Sequence, residues 1–275
     1  MTKTTKKKEP NNYWVERQQR AEEAITKKSV KETEKKVKEY YARTMKSVLN
    51  EFENTYLKLL ETAEAGRAFT PADLYKLDKY WQMQSQITKE LEALGNKEIT
   101  LLSKNFMKQF SSIYEEFALK THLSFGKIDK GLVEQMINHI WVADGKSWSK
   151  RIWVNIEKLR ATLDEGLIEC VVTGKKTTQL KQVLMERFNV SYSNAKAIVN
   201  TEMAHIQTVA AAKRYEDYGL DEYEILGNDD DSCGNSGIDC HKLNGKKFKY
   251  SEMKVGKNAP PFHPNCKCSI IPVIK

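Results

Sequence analysis

Long apolar runs are missing from this sequence. No stretch approaches the roughly 18 consecutive apolar residues of a membrane-spanning helix, which excludes a helical membrane protein. Proline is scarce, at 6 of 275 residues, and none falls between Tyr13 and Ala65, so nothing in that stretch breaks a helix. Cysteine is scarce too: Cys170 stands alone, and the other four fall between Cys233 and Cys268. The first residues, Met1–Glu9, are polar and lysine-rich and lack the apolar stretch of a secretory leader. Folding in a cytoplasm is therefore expected, where disulfides are rare. No unit of 20–50 residues repeats, which argues against a solenoid or propeller.

Charge is abundant and uneven. The chain carries 45 basic and 37 acidic residues, net +8. Residues 1–40 hold 12 basic and 7 acidic side chains, 211–240 hold 2 and 9, and 241–275 hold 8 and 1. Basic segments of this kind suit phosphate backbones without sequence preference. The same lysines can equally do no more than solubilise a terminus. The length suggests two domains, or one with a long extension.

Apolar spacing predicts a mainly α protein. Tyr41, Met45, Val48, Phe52, Tyr56 and Leu59 recur at steps of three or four within a helix expected over 13–65. Its first half, through Glu39, has few large apolar residues and is expected to be exposed or partner-dependent. Thr70-Pro71-Ala72-Asp73 is a helix start, for a helix expected to run until Gly95-Asn96. The next carries Phe106, Phe110, Tyr114 and Phe117 on one face, the mark of helix–helix core. Further helices are expected at 132–142, and from Ser147 or Ser149 to Val172, with Trp148, Ile152, Trp153, Ile156 and Leu159 on the apolar side. A pair at 177–188 and 193–218, parted by a polar turn, completes the body, with Gly174 and Gly219 as stops. After Gly219 the helical period fades. Short strands are expected at 223–226, 247–250 and 269–274, the last confined to an edge by Pro272. The expected fold is an elongated helical body with a small C-terminal α+β cysteine/histidine module.

That module holds the chemistry. Cys233, Cys240, His263, Cys266 and Cys268 are candidate metal ligands, with His241 as a sixth. Zinc takes four thiolate and imidazole ligands in a tetrahedron, and close pairs separated by a loop can supply them. The loop here would be the 19 residues from Lys242 through Pro260. A structural Zn2+ would also hold together about 55 residues with little core. The alternatives are reduced cysteines around one packed histidine, or a disulfide. Cys170 reads as a small buried apolar residue.

The run Pro260-Pro261-Phe262-His263-Pro264-Asn265-Cys266-Lys267-Cys268, preceded by Leu243-Asn244-Gly245-Lys246, resembles the C-terminal signature of Mu F-like phage minor head (head morphogenesis) proteins. Asn200-Thr201-Glu202 sits where that family has Arg-Thr-Glu. Ser149-Lys150-Arg151-Ile152-Trp153-Val154-Asn155 and Asn12-Tyr13-Trp14-Val15-Glu16-Arg17 resemble two further segments of its relatives. Asn200 departs from the family arginine, and Cys233 and Cys240 stand wider apart than the Cys-x-x-Cys of similar proteins. The resemblance implies a virion protein at the portal vertex or capsid interior, made in the host cytoplasm and acting in head assembly and DNA passage, not an enzyme. It implies portal protein, capsid or scaffold protein, and packaged DNA bound nonspecifically as partners, and no membrane. The domains then read as a disordered basic arm at 1–11, a long-helix region at 12–125, a helical Mu F-like core at 126–219 and the Cys/His module at 220–275.

Two rival functions have weaker support. Glu202 and His205 share a helix face and could bind metal or move protons. A metalloprotease helix needs two histidines around the glutamate, and position 201 is threonine. A metal-dependent nuclease built on the Cys/His site would have only His241 left as its base. A DNA-binding module is the other rival, as a helix-turn-helix with its turn at Asn189–Tyr192. Lys196, Glu202 and His205 are a thin set of base-reading groups for it.

Overall fold

The computed structural model describes residues 10–61, 70–116, 128–227 and 240–274. The helices are α1 (Pro10–Glu61), α2 (Pro71–Tyr75), α3 (Asp78–Glu116), α4 (Lys130–Asn138), α5 (Trp148–Val172) and α6 (Thr177–Asp217). The strands are β1 (Glu222–Leu226), β2 (Lys247–Lys249) and β3 (Ser269–Pro272), all antiparallel in the order β2-β1-β3. The protein is mainly α, with a small α+β C-terminal part. The chain forms two compact units. The first gathers Met1–Thr33, Ser103–Trp148 and Val199–Lys275; the second gathers Glu34–Leu102 and Ser149–Ile198.

In the second unit the apolar spacing does what the sequence predicts. Tyr41, Val48, Phe52 and Tyr56 of α1 are buried, as are Ile152, Ile156 and Leu159 of α5. The Tyr56 hydroxyl donates to the Cys170 and Lys175 carbonyls, at 3.1 and 2.6 Å, beside the C-terminus of α5. That terminus closes with Gly174 at φ 63° and the Lys175 amide bonded to the Cys170 carbonyl, so a left-handed glycine stops the helix as expected. Cys170 itself is fully buried.

Three local expectations are corrected. Thr70 does cap a helix, with its hydroxyl and the Asp73 carboxylate bonding reciprocally to backbone amides. That helix ends at Tyr75, and α3 restarts at Asp78. Next, Gly95-Asn96 does not break α3. A Cβ on Gly95 would stand 2.8 Å from the Trp153 ring, so the glycine lets α5 approach closely. Gly95→Ala gains about 1 kcal/mol of helix propensity but overpacks against a ring, at about 1–3 kcal/mol. The expected result is a net loss, read as a lower melting temperature; a stabilised variant would show that the ring moves aside freely.

Finally, Asn189–Tyr192 is not a turn. Helix α6 runs through it without interruption, so the helix-turn-helix reading falls. The polar residues there are spent on packing. Asn155 donates to the Ser191 carbonyl at 2.9 Å and to the Tyr41 hydroxyl at 3.0 Å, and accepts from Asn194 at 3.2 Å. The Tyr192 ring packs on Tyr41 at 5.8 Å. The Ser149–Asn155 segment is thus a packing motif, with Trp153 against Gly95 and Asn155 knitting three helices.

The first unit corrects a further expectation. The early part of α1 is docked rather than exposed, through polar side chains: Gln18, Glu22 and Thr33 are buried. Glu22 accepts from Arg214, from the Tyr215 hydroxyl at 2.8 Å and from Gln18 at 3.2 Å. Gln109 of α3 ties the same helix to α6, donating to the Thr26 hydroxyl at 3.0 Å and the Met203 carbonyl at 2.9 Å. Phe106, Phe110 and Tyr114 are buried as predicted, while Phe117 lies outside the described residues. So do residues 1–9 of the basic arm; Pro10 and Asn11 belong to α1.

Gly219, at φ 75°, ends α6 and feeds the sheet. Tyr223 and Ile225 point inward on β1, with Phe248 and Pro272 beside Tyr223 and Ile270 beside Ile225. Pro272 sits on the edge strand, where its missing N–H breaks no interior ladder. Among the described residues no helix is long and apolar enough to cross a membrane.

Candidate functional site at the cysteine and histidine turn

The site is built on a four-residue turn, His263-Pro264-Asn265-Cys266. The Cys266 amide donates to the His263 carbonyl at 3.2 Å, and Asn265 holds φ 58°. Proline second and a left-handed asparagine third is the residue pattern of a type II turn: proline presets its φ, and asparagine tolerates the left-handed region. This local chemistry explains the Pro-Asn pair without any ligand.

The turn is clamped onto α6. The Asn265 amide donates to the Thr201 hydroxyl at 3.0 Å, and the Asn200 side chain donates to the Asn265 side chain at 3.1 Å. Two segments singled out separately in the sequence, Asn200-Thr201-Glu202 and His263–Cys268, therefore meet. Their spatial pairing is what sequence reading misses, since neither periodicity nor metal-ligand spacing marks Thr201 as a partner of Asn265.

Within the turn, His263 is buried and Cys240 faces it. Cys240 opens a short 3-10 helix (Cys240–Leu243) and is fully buried, with its Sγ 3.7 Å from His263 Nε2. The other ring nitrogen, Nδ1, lies 2.9 Å from the Pro264 carbonyl oxygen. Cys266 and Cys268 are both buried. The neighbouring Cys268 side chain pulls the Cys266 thiol down to about 6 against its burial. Backbone bonds from Phe262 and Cys268 and the nearby His263 ring act in the same direction. The described cysteines are free thiols. His241 is exposed, and Cys233 lies outside the described residues, as do Asp229–Asp231. Among the described residues no three His, Cys, Asp or Glu groups stand together at metal-holding distance.

Around the site the loops are fixed by short-range bonds. Asn244 accepts from the Gly227 amide at 2.8 Å, and Gly245, at φ 76°, donates to the Ile225 carbonyl at 2.8 Å. The Leu243–Lys246 segment is thus the turn that launches β2. Asn258 closes the next loop, accepting from the Lys254 amide at 2.6 Å and donating to the Glu252 carbonyl at 2.9 Å.

Glu202 and His205 form a packed pair on the buried side of α6. Trp141 Nε1 donates to Glu202 at 3.1 Å, and the Trp141 ring stacks on His205 at 5.1 Å. A cavity of about 610 Å³ lies beside them, walled in part by Met136, Ile140, Trp141, His205 and Val209. Burial, helped by His139, pushes His205 down to about 3. Such an imidazole stays neutral near pH 7 and is poorly matched to proton transfer there.

No curated protein and no solved structure matches the chain. Residues 161–271 match the family described as phage Mu protein F like protein. The matched stretch contains Asn200–Glu202 and His263–Cys268 together, and through it the chain is similar to phage Mu F-like proteins.

Proposed function

We propose that this chain is a minor head protein of a phage virion. It would dock on the portal vertex or the inner capsid during assembly and contact the packaged DNA without sequence preference. The observation that carries the reading is the Mu F-like match over residues 161–271, whose two signature segments are bonded to each other in the fold. A head protein needs rigid presentation of surface rather than a reactive centre, and the clamped turn is of that kind. Portal protein, with capsid or scaffold protein, is the expected partner class.

The DNA component rests on charge. Lys242, Lys246, Lys247, Lys249, Lys254 and Lys257 are all exposed around the short sheet. Lysines that neutralise phosphates release counterions, so binding falls steeply with salt. The expected result is retention of duplex DNA of any sequence at low salt and loss of it near physiological salt; a preferred sequence bound at raised salt would contradict this reading. The assembly component is tested by co-expression with the portal protein of the same genome. Recovery of both in one complex is expected, and portal recovered alone in every condition would count against it.

A further inference from the structure

We propose that the cavity walled by α4, α6 and the 250–257 segment is a docking pocket for a tyrosine side chain presented by an acidic segment of a protein partner. The cavity holds about 610 Å³, within the roughly 300–1,000 Å³ of ligand pockets, and every residue that lines it belongs to the first unit. Its walls are mostly apolar: Met136 of α4, Ile140 and Trp141 after it, Val209 and Ala212 of α6, and Val255. Two buried polar side chains in the same walls have no hydrogen-bond partner. His205 is 1% exposed and neither ring nitrogen is bonded; its Nδ1 stands 3.8 Å from Glu202, beyond hydrogen-bond reach. Tyr250 is 6% exposed and its hydroxyl is unbonded. Buried polar groups normally have a partner, so two orphans lining one cavity ask for a guest that supplies one.

The chemistry of the walls selects the guest. An apolar lining asks for an apolar body. His205 is neutral, because burial pushes its imidazole down to about 3, so it offers one N–H and one lone pair rather than a charge. The Tyr250 hydroxyl also donates and accepts. A neutral hydroxyl on the guest can therefore bond to either, whereas an aliphatic or phenyl tip bonds to neither, and a carboxylate would bury its charge beside neutral groups. Tyrosine joins a large apolar ring to such a tip. The rim carries charge. Lys254 and Lys257 line the cavity and are exposed, and no ion pair of the described residues engages either. Lys213 is already bonded to Asp217, and Glu216 is the acid of the wall. Acidic flanks on the guest thus complement Lys254 and Lys257. Leu132 and Ile140 are exposed and carry the apolar surface outward from the cavity, so the occupant is a segment that continues past the ring rather than a free phenol. An aromatic anchor buried inside a charged rim is the make-up of an interface hot spot.

The test uses the full chain and a short fluorescein-labelled peptide with one central tyrosine flanked by aspartate and glutamate. Saturable binding at low salt is expected, with a dissociation constant below about 100 μM. Alanine in place of the peptide tyrosine should abolish it. Phenylalanine there should weaken it about three- to tenfold, the loss of a neutral hydrogen bond. On the protein, Ile140→Asp and the double variant Lys254→Glu/Lys257→Glu should each weaken binding by about tenfold or more. All three positions are exposed, so the fold is not at stake. Lys158→Glu, exposed in the second unit, should leave binding unchanged. No saturable binding up to about 1 mM overturns the proposal. Equal affinity for the alanine peptide also overturns it, since charge alone would then hold the peptide. Equal affinity for the phenylalanine and tyrosine peptides overturns the assignment of His205 and Tyr250. The outcome is independent of the virion reading, because no phage partner enters the test.

Discussion

Replacing Glu22 by alanine will destabilise the first unit by about 3–5 kcal/mol, the usual cost of leaving a buried charge without its partner. Arg214 is 1% exposed; its guanidinium lies over the Tyr215 ring and is tethered to Glu22 and to the Ile113 carbonyl, the latter at 2.6 Å. Burial alone would lower its proton affinity, but Glu22 and Tyr215 together outweigh that and raise it. Glu22→Ala removes the countercharge and also strips the Tyr215 hydroxyl of its acceptor. Chemical denaturation will show the loss as a lower midpoint with little change in slope. The double variant Glu22→Leu/Arg214→Leu should recover most of it, because an apolar pair of similar volume avoids desolvating two charges. A loss below about 1 kcal/mol in the single variant would mean that the pair is wetter than its burial indicates.

Replacing Glu98 by glutamine will stabilise the second unit, and only above acidic pH. Glu98 is 1% exposed; one oxygen accepts from Tyr41 at 3.4 Å and the other has no partner. Burial pushes its carboxyl up to about 7 from 4.5, with the Tyr41 bond pulling the other way. The sign follows from proton counting. Between pH 4.5 and 7 the unfolded chain gives up the proton while the folded chain keeps it, so stability falls as pH rises through that window. Above about 7 both forms are ionised, and the accumulated penalty, on the order of 3 kcal/mol, stays constant. Glutamine carries no such penalty. Glu98→Gln should therefore match the parent protein near pH 4.5 and exceed it at pH 8. Parallel pH dependence of the two proteins would contradict the assignment.

These two sites show where the sequence is legible and where it is not. Apolar spacing marks the buried faces of α1 after Val37, of α3 and of α5, because burial of large side chains follows the helical period. Gly174 and Gly219 announce helix ends because a left-handed residue is needed there. The early part of α1 has no such stripe, since it docks through Gln18, Glu22 and Thr33. A charged residue gives no sign in sequence of whether it meets water or a buried arginine 192 positions away. Gly95 and the Asn189–Tyr192 stretch look like breaks because glycine and short polar residues usually are. Here Gly95 admits a tryptophan ring, and Ser191 and Tyr192 pack against Asn155 and Tyr41. At the site, residue types single out Cys233, Cys240, His263, Cys266 and Cys268 as candidates, the last four of which lie among the described residues, and turn chemistry reveals Pro264-Asn265. The clamp from Thr201 to Asn265 spans 64 positions and appears only in three dimensions.

The head-protein account rests on the union of the Asn200–Glu202 and His263–Cys268 segments within one Mu F-like stretch. Its most direct test is mass spectrometry of gradient-purified, nuclease-treated phage particles encoded by the same genome. The account predicts this chain in mature particles, at lower copy than the major capsid protein and resistant to a high-salt wash. Its absence from particles that retain their portal protein would contradict the account.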